Sequence, residues 1–164
     1  MKNIFYDVHI LYDALYGILK HCQELIPNEA IGFLIGHRYR WMNKDYVMII
    51  DYLPTDSIST RYSVKIKEGG IAPYFKKLLK KYNDFQIVGW YHSHPGYGVF
   101  MSEVDVKSHK TYFREPYHVA LVVDPIRMEY QFFKVGEFGY YPVPHRVWKK
   151  RESLWKRVLR KIFV

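Results

Sequence analysis

Two short runs constrain the fold most: QIVGWYH at 86–92 and YHVALVV at 117–123. Neither alternates apolar with polar residues. Each is followed by turn residues, Pro95-Gly96 after the first and Asp124-Pro125 after the second. Such runs read as buried strands, and buried strands need further layers to cover them. The cover is legible nearby. Leu11, Leu15, Ile18, Leu19 and Cys22 recur at helical spacing, so about 10–25 is expected to form an amphipathic helix that ends by Pro27. Ile71, Tyr74, Phe75, Leu78, Leu79 and Tyr82 mark a second helix, with Lys76, Lys77, Lys80 and Lys81 off the apolar stripe. A third helix is expected to start at Ser102. Residues 30–41 and 46–53 read as strands joined by a turn at Asn43-Lys44-Asp45, with a short strand near 61–66. Residues 128–135 should return as a hairpin beside 117–123. This order of elements predicts an α/β fold, a mixed sheet flanked by helices.

The chain has 164 residues, which suits a single domain. Cys22 is its one cysteine, so disulfide scaffolds and multi-cysteine zinc sites are excluded. No run of about 18 apolar residues suggests a membrane span. Asp7 and Asp13 interrupt the N-terminal stretch where a signal peptide needs unbroken apolar residues. The expectation is a cytoplasmic protein. Charge is uneven. Segment 146–164 holds eight of the 25 basic residues and one of the 16 acidic ones, giving it +7 of the formal +9. The nearly neutral remainder does not suggest nucleic-acid binding. In the tail, Trp148, Leu154, Trp155, Val158, Leu159, Ile162 and Phe163 fall largely on one helical side and the cations on the other. The expectation is therefore a main domain at 1–145 and a basic amphipathic helix at 146–164. That helix would dock on the body or a second copy, or else contact an acidic partner or a membrane surface.

The chemistry concentrates in GWYHSHPGYGVFMSEVD at 89–105. In a strand, residues i and i+2 point to one side, so His92 and His94 could grip a metal from one face. By itself H-x-H also fits two unrelated histidines at a strand end. Ser102 followed three residues later by Asp105 is the signature of a helix capping box. That role is compatible with a carboxylate turned toward the strand end. Two histidines and a carboxylate leave a fourth tetrahedral position for water, the pattern of catalytic zinc. H-E-x-x-H is absent, so a general base must come from elsewhere. Glu29 leads straight into the apolar segment AIGFLIG, where it is either a loop residue or a base at the mouth of a buried strand. His9, His21, His37, His109, His118 and His145 read as ordinary structural or solvated residues.

Taken together, these residues resemble the JAMM family of metalloproteases, also called MPN+ or JAB1/MPN. The family pattern is an upstream Glu, then His-Ser/Thr-His, seven residues, Ser, two residues and Asp. Glu29, His92-Ser93-His94, Ser102 and Asp105 meet it at every position. NEAIGFLIG, GWYHSHPGYG and VVDPI are similar to segments of the deubiquitinating subunits of the proteasome lid and the COP9 signalosome. Val99-Phe100 stands where those subunits have Cys-Trp. The resemblance implies a fold similar to cytidine deaminases and one Zn2+ per chain held by His92, His94 and Asp105. It implies Glu29 as general base and Ser102 as hydrogen-bond donor to the developing oxyanion. It also implies cleavage of the bond after the C-terminal tail of ubiquitin or a ubiquitin-like protein. The chain is expected to be a stand-alone prokaryotic-type enzyme acting on a ubiquitin-like or sulfur-carrier protein. Two alternatives stand beside this: a peptidase that processes a sulfur carrier's tail, and an inactive MPN scaffold.

Overall fold

The computed structural model describes residues 5–60, 63–66, 68 and 72–149. Along the chain run β1 (Val8–Leu11), α1 (Tyr12–Glu24), β2 (Ile31–Trp41), β3 (Lys44–Pro54), β4 (Ser57–Thr60), β5 (Ser63–Ile66) and α2 (Ala72–Lys81). There follow β6 (Gln86–Ser93), α3 (Glu103–Tyr112), β7 (Val119–Asp124), β8 (Glu129–Gly136), β9 (Gly139–Pro142) and β10 (His145–Trp148). Eight strands form one mixed sheet in the order β10-β1-β3-β2-β6-β7-β8-β9, and β4 pairs with β5 in a separate hairpin. β6 and β7 are parallel and α3 makes the crossover between them. β1 lies parallel to both β3 and β10.

The period of two along β7 explains why that run lacks polar residues. Val119, Leu121 and Val123 join a core with Ala14, Leu15, Ile18 and Cys22 of α1. Ala120 and Val122 face the other way, into a cluster with Trp90, Met101, Phe133 and the partly buried Val106 and Phe113 around α3. A third cluster sets Leu78 of α2 against Ile35 and Leu53. β6 follows the same alternation, with Tyr91 in the α1 core and Trp90 on the α3 side. Gly32 stands opposite Tyr91 in the β2–β6 register, and a Cβ there would collide with the Tyr91 ring. The glycine is what lets that ring cover β2 and bring its hydroxyl to His21 Nδ1, at 2.8 Å.

The mixed sheet flanked by helices is the architecture the sequence predicts. Several details differ. Residues 8–11 form β1, and α1 starts only at Tyr12. The turn between β2 and β3 is Met42-Asn43, both left-handed at φ 45° and 61°, while Lys44 and Asp45 already belong to β3. The short strand expected near 61–66 is β5, and Arg61 and Tyr62 lie outside the described residues. In α2 the apolar stripe is narrower than expected, since Phe75 and Leu79 are exposed. The expected helix at 146–164 is corrected at its start. Residues 146–148 belong to β10, because the edge of β1 takes them as a parallel strand in the register Val8↔His145 to Leu11↔Trp148. Residues 150–164 lie outside the described residues. Among those described, no helix is long and apolar enough to cross a membrane.

Candidate metal centre

β6 ends at Ser93, and its alternation turns His92 toward α3 beside Trp90. The Trp90 and His92 rings stack with centroids 4.5 Å apart and an interplanar angle of 16°. Trp90 is fixed in turn. Its indole N–H donates to Nδ1 of the buried His109 at 3.0 Å, and Phe113 stacks on its ring. His94 has just left the strand, with its backbone N–H held by the Val123 carbonyl at 2.8 Å. Phe100 leans on the His94 ring at 4.7 Å.

α3 supplies the carboxylate. Ser102 is its N-cap, and the capping box is complete. The Asp105 N–H donates to Ser102 Oγ at 3.2 Å, and the Ser102 N–H donates to Asp105 Oδ2 at 2.8 Å. This reciprocal pairing fixes the first turn and leaves Asp105 Oδ2 facing both imidazoles. His92 Nε2 is 3.2 Å from it and His94 Nε2 is 3.5 Å from it. One ligand atom from each of His92, His94 and Asp105 lies within 4.8 Å of the others. Burial opposes ionisation of Asp105, yet His92, His94 and Ser102 overcome that penalty and hold the carboxyl well below its usual range. Burial holds His92 below the usual imidazole value, so it is neutral and ready to ligate.

Three atoms in this cluster test whether a metal fits. His92 Nδ1, His92 Nε2 and His94 Nδ1 are buried and have no hydrogen-bond partner. His92 Nε2 is 3.2 Å from Asp105 Oδ2 without making a hydrogen bond to it. A buried polar atom without a partner costs about 1–3 kcal/mol. A cation between the two imidazoles and the carboxylate would give His92 Nε2 a partner. Two nitrogens and one oxygen suit zinc with an open position.

Glu29 lies in the loop between α1 and β2, half-buried. Burial pushes its carboxyl up to about 7, with His94 opposing and Asp105 adding to the rise. It lies close enough to feel the charges of His94 and Asp105 but is not one of the three grouped residues. Ser102 Oγ donates to Asp105 Oδ2 at 2.7 Å, so its hydroxyl must rotate to meet another oxygen. The structure thus brings His92, His94 and Asp105 together, with Ser102 bonded to the last and Glu29 alongside. Nothing in the motif pattern singles out Trp90 or His109. Trp90 precedes His92 by two, and strand period alone could have flagged it as a neighbour. The sequence marks Asp124 only as the end of a strand. It is solvent-inaccessible and accepts backbone N–H bonds from Gly96, Gly98, Ile126 and Arg127, which ties the loop after His94 to the end of β7.

A sequence-family profile described as JAB1/Mov34/MPN/PAD-1 ubiquitin protease matches residues 3–116. The chain is 34% identical over 122 residues to the ubiquitin carboxyl-terminal hydrolase RPN11 of Saccharomyces cerevisiae, across 73% of this chain and 39% of that protein. It is 35% identical over 143 residues to COP9 signalosome complex subunit 5 of Debaryomyces hansenii, across 84% of this chain and 30% of that protein. It therefore spans well under half the length of these relatives. The solution structure of protein DSY2949 from Desulfitobacterium hafniense shares the fold, with a TM-score of 0.64 at 18% identity, across 90% of this chain and 97% of that one.

Proposed function

Because the chain belongs to the JAB1/Mov34/MPN/PAD-1 family, we propose that it is a zinc-dependent isopeptidase that cuts after the C-terminal tail of a ubiquitin-like protein. The observation that carries this reading is the grouping of the buried His92 and His94 with the half-buried Asp105, in which His92 Nδ1, His92 Nε2 and His94 Nδ1 have no hydrogen-bond partner among the described residues. These three residues would hold one zinc ion. When bound, zinc supplies Lewis acidity and lowers the pKa of water toward neutrality.

The remaining work falls to the chain's own groups. Glu29 takes a proton from the attacking water and later delivers it to the leaving amine. Its carboxyl, raised to about 7, is matched to both tasks near neutral pH. Ser102 turns its hydroxyl from Asp105 to the substrate carbonyl oxygen as negative charge develops there. Trp90, braced by His109, fixes the plane of His92. The substrate tail would lie extended beside a strand edge, since strand addition recognises a flexible terminus through its backbone.

The test has two arms. Purified protein should bind one zinc per chain, and His92→Ala, His94→Ala and Asp105→Ala should each lose it. Glu29→Gln should keep the zinc and lose about 10²–10⁴-fold in turnover of a ubiquitin-like conjugate. Zinc binding without turnover of any conjugate would support the scaffold alternative. A chain that takes up no zinc would sink the metal assignment.

A further inference from the structure

We propose that Ser93, between the two histidines, is a positioning residue for Glu29; this rests on the reading of Glu29 as the general base. The alternation that turns His92 toward α3 turns Ser93 the other way, to the α1 side. Ser93 is fully buried there, within hydrogen-bonding reach of the Cys22 thiol. The β2–β6 ladder reaches Ile31↔His92, and one further pair closes it in an unusual way. The Ser93 N–H donates to the Ala30 carbonyl at 3.0 Å. The return bond does not go to the Ser93 carbonyl. Instead the Ala30 N–H donates to Ser93 Oγ at 2.8 Å.

That N–H is half of the Glu29–Ala30 peptide group. The peptide is planar, so holding its N–H fixes the orientation of the whole unit. The direction in which Glu29 leaves the backbone is set with it. Ala30 is fully buried, so no water can replace the serine as acceptor. The tripeptide 92–94 therefore has two faces with two tasks. His92 and His94 offer ring nitrogens to the metal site, while Ser93 anchors the strand that delivers the base to the same site. A displacement of about 1 Å in a catalytic group can cost about 10²-fold, which is the scale on which a loosened Glu29 should be felt.

The test compares Ser93→Ala, Ser93→Thr and Ser93→Val in the full chain. Val matches Thr in shape and lacks the hydroxyl, so the Thr/Val pair decides the matter if the alanine variant folds poorly. The probe is a fluorogenic amide of the ubiquitin C-terminal tail, used alongside zinc content and amide hydrogen exchange at Ala30. Ser93→Ala and Ser93→Val should keep one zinc and a KM within about twofold, lose about 10–100-fold in kcat, and speed Ala30 exchange about tenfold. Ser93→Thr should restore both kcat and protection. Wild-type kcat in Ser93→Val, or unchanged Ala30 exchange, would overturn the proposal. Loss of zinc in these variants would do the same, by making Ser93 a support of the metal ligands. If wild-type protein does not cleave the probe, the isopeptidase reading loses support, and Ala30 exchange still decides whether Ser93 anchors the Glu29 strand.

Discussion

His109 lies four residues after Asp105 on α3, buried, and accepts the Trp90 indole N–H on Nδ1. A neutral ring with Nδ1 free to accept is the form this contact needs. Burial first, and then the charge of His118, pull His109 down to about 4. The unfolded chain protonates this residue near 6.5. Between pH 6.5 and 4 the unfolded state therefore binds a proton that the folded state excludes. The His109 contribution is complete above pH 6.5 and is lost as pH falls toward 4, on the order of 2 kcal/mol. Gln in its place can still accept from Trp90 and does not titrate. Urea unfolding of metal-free protein at pH 7.5 and pH 4.5 should show wild type losing about 2 kcal/mol more than His109→Gln. Equal losses would mean that this histidine is not held neutral. The sequence does not disclose the role, because the partner sits 19 residues away on β6 while His109 is on α3. The spacing that gathers Glu29, His92, His94, Ser102 and Asp105, by contrast, is written along the chain as a motif. Its support by Trp90 and Ser93 becomes visible only once the two faces of β6 are known.

At the level of elements, the site depends on how β6 and β7 end. Gly96 and Gly98 adopt φ of 83° and 88°, which returns the chain after His94 over the end of the sheet. Asp124 fastens that loop. Its Oδ1 accepts from Gly96, Ile126 and Arg127, while its Oδ2 accepts from Gly98 at 2.8 Å. Four N–H donors on one carboxylate hold its pKa down against burial. Asp124→Asn keeps the shape and three of the four acceptor contacts, but it points an NH₂ at the Gly98 N–H. Two donors would then face each other in a buried place, at a cost of about 1–3 kcal/mol. Chemical denaturation should show that loss, and a variant as stable as wild type would mean the Gly98 contact is dispensable. Elements with a strong period were legible in the sequence, as in α1, the two buried strands and the capped start of α3. β1 was not, because Ile10 and Leu11 also continue the helical stripe of α1. β9 and β10 were not, because short strands at the sheet edges carry exposed polar and aromatic residues without a clean alternation. Of the small hairpin, β5 falls within the strand expected near 61–66, whereas the four residues of β4 are too few for a period to show.

For the molecule as a whole, the N-terminal strand is secured by the last described one. β10 pairs in parallel with β1 along its full length, and the Trp148 indole N–H donates to His9 Nδ1 at 2.9 Å. Arg146 lies over the Trp148 ring at 4.3 Å. This closure joins segments 137 residues apart, so no local pattern announces it. It also changes what the basic tail is expected to do. Its first residues belong to the sheet, and only 150–164 remain for docking or partner binding. Two truncations separate these parts. Ending the chain at Lys149 keeps β10. Ending it at Pro144 removes β10, bares the hydrogen-bonding edge of β1 and strips His9 of its contacts with Trp148. An open strand edge invites pairing with another copy, and the lost hydrogen bonds and apolar cover should cost about 3 kcal/mol. For a domain of this size that is about 10 °C in Tm. The Lys149 truncation should stay within about 3 °C of the full chain, with an unchanged particle size by light scattering. The Pro144 truncation should melt earlier and associate. Equal stability and equal size for the two truncations would show that β10 does not secure the N-terminal strand. A loss already complete at Lys149 would assign the stabilising contact to 150–164, as a docked tail requires.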